Sequence, residues 1–205
     1  MNYIKVTSIM SSAFWFVLLI SCLLLFLSFW IVLPKFFEEP KYQVVRKSGN
    51  FEVRRYPRIL IASLVRTGKR DTALRSAFPY LARYIGGKDR EGGTISMTVP
   101  VMQFKGSKED EWKISFVMPK KFSYKNIPKP ENSAIKINEM KSIKVAAVRF
   151  SGSWDDVEFK RQETLLRNWL EDEGYFNPLG LIYAFYNDPM TPSIFRRNEI
   201  LIELE

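Results

Sequence analysis

Residues 51–64, FEVRRYPRILIASL, and residues 135–148, IKINEMKSIKVAAV, stand about 84 residues apart and carry their apolar side chains at matching places. Phe51, Val53, Ile59, Ile61, Ala62 and Leu64 of the first correspond to Ile135, Ile137, Ile143, Val145, Ala146 and Val148 of the second. Each stretch reads as two β-rich segments around a polar break, and a helical pattern follows each, Asp71 to Ile85 and Asp155 to Glu173. Two more strand-like segments complete each pass: Ile95 to Phe104 with Trp112 to Met118, then Leu181 to Tyr186 with Glu199 to Glu203. The chain therefore reads as an α+β domain built from a duplicated β-β-α-β-β unit, with halves 42–125 and 131–205 joined by the Pro-rich connection Asn126 to Pro130. Such units should place their strands in one distorted, open β-barrel with a helix from each half against it.

Local signals fill in the frame. Tyr42 to Arg46 and Phe51 to Tyr56 flank the turn signal Ser48-Gly49-Asn50, and Gly86-Gly87 suits a helix C-cap. In the first helix, Leu74, Ala77, Phe78, Leu81 and Ile85 form an expected core stripe. A quarter turn further round, Pro79 and Ala82 give a low floor, Phe78 a wall, and Arg75 and Arg83 the flanks. Those arginines, eight residues apart, stand roughly 12 Å apart along the axis. Two readings fit them: solvated surface charges, or the sides of a site for a flat, apolar dianion. The second helix buries Phe159, Leu165, Leu166, Trp169 and Leu170 on this reading, with Ser153 or Asp155 as N-cap and Gly174 at its end. Lys160, Arg161, Glu163, Arg167 and Glu171 form its outer face, so it lacks an apolar second face.

Ahead of the repeat, the residues differ in kind. Ala13 to Leu33 is an uncharged run rich in Leu, Phe, Ile and Trp, long enough to cross a hydrocarbon core of about 30 Å. The expected organisation is a tail over 1–12, a transmembrane helix over 13–33, a linker over 34–41 and the domain over 42–205. The lipid bilayer is thus an expected partner through 13–33, and localisation is a single-pass membrane anchor. Lys5 precedes the run, whereas Lys35, Lys41, Arg46 and Lys47 follow it, which favours a cytoplasmic domain. Long domains also translocate after such anchors, so the side stays open.

Of 31 basic residues 30 follow Leu33, together with all 22 acidic ones, so the domain is basic. That suits an anionic surface or an acidic small ligand. The basic residues are scattered among acids and form no nucleic-acid motif, so no nucleic-acid partner is expected. The chain has no histidine and its one cysteine, Cys22, lies in the apolar run. The domain therefore has no intrachain disulfide, no Cys/His zinc site and no His-dependent triad.

Several motifs, in order, resemble the SOUL family of haem-binding proteins. They are Tyr42-Gln43-Val44-Val45 with Phe51-Glu52-Val53-Arg54-Arg55-Tyr56, then Tyr84-Ile85-Gly86-Gly87, Met97-Thr98-Val99-Pro100-Val101, Phe116-Val117-Met118-Pro119 and Phe150-Ser151-Gly152. Tyr186-Asn187-Asp188-Pro189-Met190-Thr191-Pro192 with Arg196-Arg197-Asn198-Glu199 completes the set. The expectation is a membrane-anchored, bacterial member. The resemblance implies a barrel of two similar halves and a ligand, haem or another tetrapyrrole, in a shallow apolar groove beside the first helix. It implies Arg75 and Arg83 near the propionates, with Phe78, Leu81 and Ala82 against the macrocycle and Met190 close by. Some members have been given an axial histidine. None is possible here, so the iron would take water, Met, Tyr or nothing from the protein, with low affinity expected. Buffering, transfer or sensing without catalysis is the implied role. The alternatives are a membrane-anchored interaction module or small-molecule sensor using the same fold without haem. A hydrolase would need a carboxylate of raised pKa in a pocket, for which Glu52, Glu139 and Glu199 are the candidates.

Overall fold

Gly49, at φ 58°, closes the first hairpin as its turn signal predicts, joining β1 (Gln43–Ser48) to β2 (Phe51–Tyr56). The computed structural model describes residues 14–25, 28, 36–88 and 90–205. The expected tail, residue 13, and residues 26, 27 and 29–35 of the expected span and linker lie outside them. Residues 14–25 are helical, and among the described residues no helix is long and apolar enough to cross a membrane. Residues 1–36 and 37–205 form two separate compact units.

In the second unit, β3 (Ile59–Thr67), α1 (Arg70–Ile85), β4 (Val101–Lys105) and β5 (Glu111–Val117) continue the first half. The other half is β6 (Lys136–Met140), β7 (Ile143–Phe150), α2 (Asp156–Asp172), β8 (Leu181–Phe185) and β9 (Asn198–Leu204). All nine strands form one antiparallel sheet in the order β1-β2-β7-β9-β8-β4-β5-β3-β6. Setting β1 aside, this order reads the same when the halves are exchanged and the direction reversed, with β8 and β4 at the centre. The register obeys the same exchange. Ile61 pairs with Asn138 across β3 and β6, and a shift of about 84 residues turns that pair into Val145 with Arg54, which β7 and β2 form. The duplication read from the sequence is thus a pseudo-two-fold sheet. The edges β1 and β6 do not pair, so the sheet curls as a half-barrel where an open barrel was expected.

The middle strands bury both faces, which is why they read as apolar runs without strict alternation. Leu60, Ala62 and Leu64 of β3, Ala146 and Val148 of β7, and Ile200 and Ile202 of β9 share a core with the two helices. Ile61, Met102, Val145, Ala147, Ile182 and Leu201 pack together on the opposite face. The expected strand from Ile95 begins only at Val101. Pro100 offers no N–H to a ladder and so marks its start.

Both helices are rotated from their expected stripes. The buried side of α1 is Arg70, Ala73, Ala77, Leu81, Tyr84 and Ile85; Phe78 lies at its border and Leu74 is only partly covered. Ala73 and Ala77 let the helix approach the sheet closely. Arg70 is buried because Asp156 and the Trp154 carbonyl accept its hydrogen bonds while Phe159 lies under its guanidinium, 4.6 Å from ring centroid to Cζ. In α2, Glu163 joins Phe159, Leu166 and Leu170 on the buried side, and Leu165 is exposed. Arg167 and Tyr183 hydrogen-bond Glu163 there, satisfying the carboxylate that the sequence placed outside.

Asp155 caps α2 by accepting the Glu158 N–H at 2.8 Å. Hydrogen bonds from the Ser153 hydroxyl and then the Glu158 N–H hold its carboxyl below the ordinary aspartate value. A carboxyl depressed by folding adds stability above its unfolded pKa, and that stability is lost as pH falls through the folded one. Asp155→Ala should therefore lower the Tm of the full-length chain by about 2–4 °C at neutral pH. In thermal scans the gap to wild type should close as pH drops below about 4.

Candidate functional site

The C-terminal half of α1 builds one side of a groove. Pro79 lies inside the helix, where its ring brings no N–H, and Tyr80 and Arg83 follow it on the exposed surface. The opposite side comes from the connection between the halves. Tyr84, wholly buried, donates from its hydroxyl to the Pro128 carbonyl at 2.7 Å and so pins that connection against the helix. Burial keeps the Tyr84 phenol above its usual pKa despite Arg90 nearby, so it remains a donor. Glu131 and Asn132 then face α1. The resulting open groove, of about 810 Å³, is lined by Pro79, Tyr80, Arg83, Glu131 and Asn132.

Of the expected ligand residues, Arg83 alone belongs to this lining. At about 100° per residue, Pro79, Arg83 and Tyr80 share one arc of the helix, whereas Phe78 and Ala82 lie on the other side of Arg75. Arg75 is exposed and stands 3.8 Å from Asp71. Phe78 meets Phe116 edge-on at 5.1 Å between centroids, and Ala82 is partly covered against the core. Leu81 is 0% exposed and offers nothing to a ligand at the surface. Met190 is 77% exposed and outside the groove lining. Its loop is rigid, as the prolines imply: Asp188 accepts the Met190 N–H, and Arg196 donates to the Thr191 and Pro189 carbonyls. Sequence reading missed Tyr80, one position beyond the expected floor residue Pro79. It also missed Glu131 and Asn132, which only the fold brings to α1.

The carboxylates considered for hydrolysis are held differently. Glu199 is buried and accepts from Arg54, Arg197 and the Tyr186 hydroxyl. Burial pushes the Glu52 carboxyl up, but hydrogen bonds from Lys47 and Arg54 outweigh it and leave it below the usual carboxylate value. Glu139 pairs with Arg58 at the surface. The described residues contain no group of three or more His, Cys, Asp or Glu placed to hold a metal ion.

Glu38 and Glu39, from the expected linker, are tied to the domain. The Glu38 carbonyl accepts the Val99 N–H at 2.9 Å and its carboxylate accepts the Lys120 N–H at 2.6 Å. Arg197 donates to both oxygens of Glu39 at 2.8 Å.

A duplicated antiparallel half-barrel with two helices, and a groove between the first helix and the connection of the halves, defines the class of domain. The chain belongs to the SOUL heme-binding protein family, whose model matches residues 37–203. It is 33% identical over 135 residues to Heme-binding protein 1 of Sus scrofa, covering 63% of this chain and 70% of that protein. Heme-binding protein 2 of Mus musculus is 28% identical over 159 residues, covering 74% and 77%. These mammalian relatives do not bear on the expected anchor or bacterial origin. Among solved structures, the EcmrR C-terminal domain superimposes with a TM-score of 0.58 at 15% identity, over 80% of this chain and 98% of that one. A hydrolase from Listeria innocua gives 0.52 at 13%, over 78% and 94%. Likeness at such identities is one of fold.

Proposed function

We propose that this chain is a non-catalytic binding protein for haem or a related tetrapyrrole, tethered to a membrane by the apolar run 13–33. One observation supports the site most: in a SOUL-family domain, the open groove beside α1 joins an aromatic ring and a proline to a guanidinium. The residues fit the group. Tyr80 and Pro79 give the flat apolar surface a macrocycle needs, and Arg83 can hold a propionate through two parallel hydrogen bonds. The groove volume of about 810 Å³ lies in the range of small-molecule sites. Bound haem would supply an iron centre; the chain's own residues hold and orient the ring, Arg83 at its acidic edge. No carboxylate described above has the raised pKa that a general acid requires, which supports binding without catalysis.

A Soret titration of the detergent-solubilised full-length chain with haemin tests the reading. Wild type should saturate, and Arg83→Ala should weaken binding about tenfold. Arg75→Ala, remote from the groove lining, should change it little, so the double variant should resemble Arg83→Ala. Absence of a saturable change in wild type would remove the reading.

A further inference from the structure

The groove must meet the iron of a bound haem with something, and its side chains differ in what they can offer. Nitrogen is excluded by composition, since the chain has no histidine, and thiolate is confined to Cys22 in the other compact unit. Met190 is outside the lining. Among the lining residues, Tyr80 and Glu131 alone can supply an anionic oxygen.

Tyr80 has the better placement. It is 44% exposed on a rigid helix, and among the described residues its hydroxyl has no hydrogen-bond partner, whereas Tyr84 and Tyr186 donate theirs to buried acceptors. From β3, the Arg66 guanidinium lies over the Tyr80 ring, 5.0 Å from its centroid. That contact fixes the ring and sets a permanent positive charge against the group that would carry a phenolate. Glu131 comes from the connecting segment beside Asn132, with no such support. Phenolate oxygen is a hard anionic donor and a known axial ligand of haem iron.

We infer that Tyr80 is the iron ligand and that the groove selects ferric over ferrous haem, an inference that rests on the proposed haem site. Ligation forms an iron–oxygen bond as the phenol's O–H bond breaks, and the proton passes to water. Iron stays ferric throughout. Arg83 and Tyr80 then hold the cofactor by separate chemistry, one at a propionate and the other at the metal.

Full-length wild type, Tyr80→Phe and Glu131→Gln should be titrated with haemin and, separately, with iron-free protoporphyrin IX. Wild type and Glu131→Gln with haemin should show phenolate-to-iron charge-transfer absorption and a high-spin ferric EPR signal. Tyr80→Phe should lose the charge-transfer band and bind haemin at least about tenfold more weakly, while all three proteins bind the iron-free porphyrin equally. Reduction to the ferrous state should release haem from wild type. A charge-transfer band that survives in Tyr80→Phe, or vanishes in Glu131→Gln instead, overturns the ligand assignment while leaving the haem site standing. So does an equal loss of iron-free porphyrin by Tyr80→Phe, which would make the ring a packing surface only. Failure of wild type to bind either porphyrin overturns the proposed function as well.

Discussion

Glu199→Ala should cost the full-length chain about 3–5 kcal/mol, read as a fall in the urea midpoint, because it strands two buried cations. Glu199 is 0% exposed and Arg54 2%. Arg54 reaches Glu199 Oε2 at 2.6 Å, Arg197 reaches Oε1 at 2.9 Å, and the Tyr186 hydroxyl donates to Oε2 at 2.9 Å. Burial pulls the Arg54 guanidinium pKa down, but the Glu199 carboxylate more than restores it, so the cation persists. Burial and then the Glu199 charge push Tyr186 well above the usual phenol value, so it too stays a donor. With the carboxylate gone, Arg54 keeps Glu52 and the Tyr56 oxygen, and Arg197 keeps Glu39, yet neither replaces the shared central anion. Glu199→Gln preserves shape and an acceptor but removes the charge, so its loss should be smaller. Arg54→Met combined with Glu199→Leu should cost less than the two single changes summed, since removing both ends of a buried pair leaves no orphan charge between them. Additive single effects would show that the pair is not coupled.

This cluster also marks how far sequence reading reaches. The repeat was legible because an offset of about 84 residues preserves both apolar pattern and β register. Hairpin and cap signals were legible because they are local: Gly49 and the Asp155 cap need only their neighbours. Arg54 and Glu199 are 145 residues apart, and nothing beside either reveals that the other neutralises it. The helix faces went astray for a related reason. Hydrophobic periodicity scores Phe78 as core and Arg70 as surface, but Arg70 is buried because α2 supplies Asp156 and Phe159 as partners. Glu163 repeats the pattern on α2 with Arg167 and Tyr183. The groove was half legible: Pro79 and Arg83 follow from the helix, whereas Glu131 and Asn132 arrive only when Tyr84 draws the connection between the halves against it.

Leu81 separates the two readings of α1 most sharply. As a macrocycle contact on the surface, its truncation would weaken haemin binding and leave folding almost untouched, since exposed substitutions commonly change stability by less than about 0.5 kcal/mol. The structure puts Leu81 at 0% exposure in the core shared with Ala77, Tyr84 and Ile85. Leu81→Ala should therefore cost about 2–5 kcal/mol, from lost transfer energy and from the cavity left under a helix that the small residues Ala73 and Ala77 already hold close to the sheet. That is a large share of the roughly 5–15 kcal/mol that a domain has in total. The groove lies on the Pro79, Tyr80 and Arg83 arc, away from Leu81, so the folded fraction should keep the haemin affinity of wild type. Arg83→Ala should do the reverse, weakening binding while leaving the urea midpoint nearly unchanged. Measuring both quantities on both variants decides the matter: if Leu81→Ala lost affinity at unchanged stability, the groove would have to be moved back to the Phe78 and Ala82 face.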